Sequence, residues 1–171
     1  MPLLALKHRR PWVPHADREE RLRSAIQIAS MTLENLDSLY PRHARELLKI
    51  AAWKASELDG KESPRYRSAS VMSGPILEGS KVVHEHVVDR RWIVDALIDR
   101  PDRVVTILSN APACLVTASE HLALGSGWGW DRYIEGQVRV RDAKTDEEVD
   151  LVEAQRHLRA AIGEPPDQLE S

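Results

Sequence analysis

A chain of 171 residues, 42% hydrophobic and 30% charged, is long enough for one domain with a real core, or for one domain with a helical appendage, and has the composition of an ordinary soluble protein. A net charge of −3 argues against a protein that holds nucleic acid through global positive charge, while leaving room for a local patch. The one cysteine, Cys114, excludes an internal disulfide and a paired-cysteine zinc site and fits a reducing cytoplasm, and no apolar run is long enough to span a bilayer, so no membrane partner is expected.

Met1 to Leu6 is apolar but too short for a signal peptide, and its basic residues follow it. The first ten or so residues read as a loose arm, punctuated by Pro11 and Pro14. Asp17 opens a long helix to about Leu39, with Leu22, Ile26, Ala29, Leu33, Leu36 and Tyr40 on one apolar stripe. Pro41 fits the first turn of a second helix, striped by Ala44, Leu47, Leu48, Ala51, Ala52 and Leu58 and ended by Asp59-Gly60. The short joint predicts a helical hairpin whose broad stripe leaves surface for a second copy of the chain, hence a homodimer.

Residues 61–80 carry Pro, Gly, Ser and Arg with little periodicity and read as a loop or boundary. From Lys81 the pattern turns β-branched. A strand is expected over 81–88, a helix over 90–100, a short helix from Pro101 to about Ser109 and a strand over 113–117. Thr117 and Glu120 form a capping box for the next helix, which Gly125-Ser126-Gly127 ends. One or two helical turns follow at 130–135, then a strand over 137–141, a final helix within 146–163 and a frayed tail over 164–171. The fold class is α+β: an N-terminal helical hairpin over 1–60, then an α+β region over 81–163 with a small sheet.

His84-Glu85-His86 stands out within a β-branched run. Buried ionisable groups are costly unless they are paired or bind metal. In an ideal strand His84 and His86 share a face and Glu85 takes the other; a strand ending near Val83 would instead let Glu85 and His86 aim at one point. His121 adds an imidazole on the helix after the second strand. A core or interface role for these histidines stands beside a site role, and His8, His15, His43 and His157 read as structural or surface residues. Arg90 and Arg91 follow the motif. Arg139 and Arg141 alternate along the last expected strand, so all four are candidate nucleic-acid-binding residues. The glycines and tryptophans of 125–130 lack the Lys-Ser/Thr of a phosphate-cradling loop and read as a helix stop.

Glu85-His86-Val87-Val88, followed by Cys114-Leu115-Val116-Thr117-Ala118-Ser119-Glu120-His121, resembles the HNH or His-Me finger nucleases over about residues 81–125. The resemblance implies two strands and a helix around one divalent metal ion, Mg or Mn, with Zn as the alternative. It implies Glu85 and His121 as metal ligands, His86 as general base and Asn110 as the residue that orients the base. DNA or RNA would then be the partner, and a metal-dependent nuclease acting through a histidine base the function. Two other functions remain open: a non-catalytic regulatory protein that dimerises through its helices, and a zinc protein ligated by His84, His86 and His121.

Overall fold

The structure, a computed structural model, describes residues 8–73 and 81–164. Helix α1 (Arg18–Glu34) turns its small residues inward: Ala25, Ala29 and Thr32 are buried. It stops short of Leu39 because the Asn35 side chain bonds back to the Met31 carbonyl, and a 3-10 turn at Leu36–Ser38 follows. Helix α2 (Pro41–Ser56) begins at the proline, which has no N–H to leave unpaired. It buries Ala44, Leu48, Ala51, Ala52 and Ala55, and the alanines let α1 and α2 pack closely.

The remaining elements are β1 (Tyr66–Ser68), α3 (Ala69–Ser73), β2 (Val82–His86), α4 (Arg90–Asp99), a 3-10 turn at Pro101–Arg103, α5 (Val104–Ser109), β3 (Ala113–Thr117), α6 (Ala118–Ala123), α7 (Asp131–Glu135), β4 (Val140–Asp142), β5 (Glu147–Glu148) and α8 (Leu151–Ile162). The sheet runs in the order β2-β3-β1-β4-β5. β1 and β3 are parallel, and the other neighbours are antiparallel. The fold is therefore α+β, as the change in periodicity at Lys81 indicates. Within it β2 and β3 pair, and α6 packs back on both.

One core cluster joins the two halves. Ala29 of α1, Leu48 of α2, Leu97 of α4, Ile107 of α5, Val116 of β3 and Leu158 of α8 all belong to it. Each large apolar side chain so buried contributes about 1.5–3 kcal/mol. Cys114 lies inside the sheet with no exposed surface. Among the described residues no helix is long and apolar enough to cross a membrane.

The central strand β1 falls within 61–80, the stretch expected to be a loop. It is three residues long, and its middle residue is an arginine, so no apolar alternation marks it. Arg67 is 3% exposed. Its guanidinium donates to the carbonyls of Pro64 at 3.2 Å, His8 at 2.6 Å and Arg10 at 2.6 Å. Burial lowers its pKa from the usual value. The same bonds fasten the arm, as do Trp12 N–H on the Ala143 carbonyl and the Trp12 indole on Asp59. From His8 onward the arm is thus tied down instead of loose; residues 1–7 lie outside the described residues.

The last expected strand starts later than residue 137, because Gln137 takes a left-handed turn with φ 54°. The final helix, α8, stops at Gly163, whose φ is 89°. Residues 165–171, most of the expected tail, lie outside the described residues.

Replacing Arg67 with Met removes three hydrogen bonds from buried or half-buried carbonyls. We expect a loss of about 2–4 kcal/mol in urea unfolding. Proteolysis near residues 8–12 should quicken in the folded variant. Unchanged stability and an unchanged cleavage rate would show that Arg67 does not hold the arm.

Candidate active site

Val82 and Val83 favour extended backbone, and β2 stays regular through His86, with Glu85 opposite Cys114 and His86 opposite Ala113. Adjacent side chains therefore face opposite sides. The strand does not end at Val83, so Glu85 and His86 do not aim at one point. Val87 and Val88 then plug the core, and Asp89 accepts a hydrogen bond from Arg91 N–H at 2.7 Å to start α4.

On the other side of β3, the capping box forms as the sequence indicates. Thr117 Oγ1 accepts from Glu120 N–H at 3.2 Å, and Glu120 Oε2 accepts from Thr117 N–H at 2.9 Å. The same carboxylate accepts from Ser68 Oγ at 2.6 Å, which ties α6 to β1. This anchored start places His121 over Glu85.

Glu85 is the meeting point. His121 Nδ1 lies 2.8 Å from its Oε2, and Arg132 Nη1 lies 2.9 Å from its Oε1. The Glu85 side chain is 12% exposed, against 43% for His121 and 22% for Arg132. A cleft of about 420 Å³ runs along the open edge of β2, lined by Glu85 and Arg132, by Arg90 and Arg91, and by His84 and His86 from the other side of the strand; His121 stands beside it, behind Glu85. The far wall of the cleft is the 125–129 loop, held against α7 by Gly127 N–H on Glu135 Oε2 at 3.3 Å. Gly125 has no room for a side chain, since a Cβ there would lie 2.6 Å from Glu135 Cβ.

The fold thus brings together Glu85 and His121, the two expected metal ligands. It sends His84 and His86 to the opposite face. Their rings meet edge to face at 5.4 Å, and His86 Nδ1 is hydrogen-bonded to Ser56 Oγ of α2 at 2.9 Å. His121 does not join them, so the three imidazoles of the zinc alternative do not converge. Among the described residues no group of three or more His, Cys, Asp or Glu side chains is arranged to hold a metal ion.

Asn110 caps the end of α5, bonds to the Thr106 carbonyl at 2.8 Å and lines a different cleft. The intervening Ala111-Pro112 keeps it off β3. Arg139 precedes β4 and pairs with Glu148, while Arg141 pairs with Asp146. Neither lines the Glu85 cleft, because β4 lies beyond β3 and β1 in the sheet. Arg132 and Ser56 are the partners that sequence reasoning did not single out. No short-range spacing connects either residue to β2.

His86 is a weak base in this setting. Burial, then the neighbouring charges of His84 and Arg90, push its pKa down to about 4, against the pull of Glu57 and Asp89. Burial lowers His84 as well. Comparison with protein-family models, curated proteins and solved structures finds no match to this chain.

The depressed histidines set a pH dependence for stability. An unfolded histidine titrates near about 6.5. Below that pH the unfolded chain takes up a proton that folded His86 refuses. Stability is then full above about pH 6.5 and declines as pH falls towards about 4. We expect a decline of about 1–3 kcal/mol from His86, given its partial exposure. Urea midpoints across that range check it, and His86→Asn should flatten the curve. A parent curve that does not slope between about pH 6.5 and 4 would contradict the burial argument.

Proposed function

We propose that this protein is a nuclease-like hydrolase that cleaves phosphodiester bonds of DNA or RNA, with a histidine as general base, at the cluster of Glu85, His121 and Arg132. The observation that carries the reading is the convergence of Glu85 and His121 at 2.8 Å beside a cleft lined by arginines. With Nδ1–H donated to Glu85, the His121 ring is held in the tautomer that leaves Nε2 a free lone pair. That nitrogen can take a proton from an attacking water. Arg132 fixes the other oxygen of Glu85, and Arg90 and Arg91 offer positive charge to the phosphate as it gains negative charge. His86, half-buried on the other face and bonded to Ser56, is replaced by His121 in the base role.

A divalent metal is a second use of the same pair, and one observation favours it. Two adjacent ligands of an octahedral ion with bonds of about 2.1 Å lie about 3 Å apart, close to the separation of the two donors. Glu85 and His121 would hold Mg or Mn, with water and phosphate oxygens completing the shell; a four-ligand Zn site is not built. When bound, the cation would supply Lewis-acid stabilisation of charge on the phosphate. The two uses of His121 exclude each other. Cleavage that survives chelator assigns it as base, and cleavage restored only by added Mg or Mn assigns it as ligand.

Either way Glu85→Gln and His121→Ala should lower the cleavage rate by about 10²–10⁴-fold on labelled DNA and RNA. His86→Ala, once shown to be folded by circular dichroism, should stay within a few-fold of the parent. Loss of cleavage in His86→Ala but not in His121→Ala would overturn the assignment. No cleavage of any nucleic acid, with or without metal, would overturn the function.

The non-catalytic, dimerising reading has its own observation. Leu47, Ile50 and Trp53 of α2 keep 38%, 43% and 37% of their surface exposed at helical spacing. A second copy of the chain is the partner we propose for that face. Sedimentation should show a concentration-dependent dimer that Ile50→Glu dissociates, and a monomer at all concentrations would remove it.

A further inference from the structure

We infer that the Glu85 cleft takes single-stranded nucleic acid and excludes the duplex. The inference rests on the phosphodiester reading above and gives that site its substrate class.

Depth comes first. The Glu85 carboxylate is 12% exposed, recessed between the start of α4 and the 125–129 loop. A phosphate must come down between those walls to reach it. The cleft, about 420 Å³, is on the scale of a small-ligand pocket and can admit a nucleotide at a time. A single strand bends freely into such a recess. A duplex has a persistence length of about 150 bp and cannot.

Charge comes second. Arg90 and Arg91 are exposed, and among the described residues neither guanidinium makes an ion pair with a carboxylate. Arg18, Arg45, Arg65, Arg139, Arg141 and Arg159 are all paired. The cleft's own carboxylates are engaged, Glu85 by His121 and Arg132 and Asp89 by the start of α4. In a chain of net charge −3, Arg90 and Arg91 thus present two adjacent positive charges, not neutralised by an ion pair, on the wall of this cleft.

Stacking surface comes third. Trp92 and Trp128 stand in the two walls, both half-buried, and the Arg91 guanidinium lies over the Trp92 ring at 5.4 Å. Aromatic and guanidinium planes stack on unpaired bases whatever their sequence. In a duplex those base faces are already covered.

Fluorescence anisotropy on the Glu85→Gln protein tests this without cleavage. The probes are labelled oligo(dT) and oligo(U) of twelve or so nucleotides, and a blunt DNA duplex of the same length. Single strands should bind at least about tenfold more tightly than duplex. Arg90→Gln with Arg91→Gln should weaken single-strand binding by about tenfold and reduce the salt slope by about 1.4, or about 0.7 per lost phosphate contact. Both residues are exposed, so the double variant should fold, and circular dichroism verifies it. Equal or tighter duplex binding overturns the inference, as does single-strand binding unaffected by the double variant. Single-strand binding by a parent protein that cleaves nothing removes the hydrolase reading and leaves the inference standing. Equal cleavage of duplex and single strand does the reverse.

Discussion

A carboxylate held almost out of water costs several kcal/mol unless positive charge meets it, and Glu85 is in that position on the edge strand β2. Its two oxygens draw on two separate pieces of the chain, His121 on α6 and Arg132 on α7. Each piece then needs its own anchorage. The capping box and Ser68 fix the start of α6, and the glycine loop packed on Glu135 fixes α7. Removing either partner would leave an oxygen of this nearly buried carboxylate without its hydrogen bond, so these short elements are coupled through a single side chain.

The opposite face of β2 follows a different logic. His84 and His86 are neutral near pH 7, packed against each other and tied to α2 through Ser56. One strand thereby joins the helical half to the sheet on one face and holds the Glu85–His121–Arg132 cluster on the other. The strict alternation of an extended backbone separates the two roles without any intervening residue.

The second helix was legible because its burial follows the three-four period: Ala44, Leu48, Ala51 and Ala52 are buried where the stripe places them, whereas in the first helix only Ala29 of the stripe is buried and the inward face is set by Ala25 and Thr32 beside it. The capping box at Thr117 was legible because both of its bonds are local. β1 was not, since Tyr66-Arg67-Ser68 is stabilised by neighbours distant in sequence and by carbonyls that accept from a buried arginine. At the site, Glu85 and His121 could be singled out by residue type and by their flanking strands. The direction of His86 could not, because it depends on where β2 ends, and Arg132 could not, because only the packing of α7 places it. Asn110 shows the opposite error: a suitable side chain near the right strand, diverted by Ala111-Pro112 into capping its own helix.

The order of the sheet also orders events on the ribosome. α1 and α2 can collapse on each other as soon as they emerge, because their contacts are local. β1 emerges next, yet both of its neighbours, β3 and β4, lie far downstream. Until they arrive, Arg67 has no sheet around it and stays hydrated. The nascent chain therefore carries its future central strand as a polar segment, and a strand that does not stick to other chains while it waits is a safeguard against misassembly during synthesis.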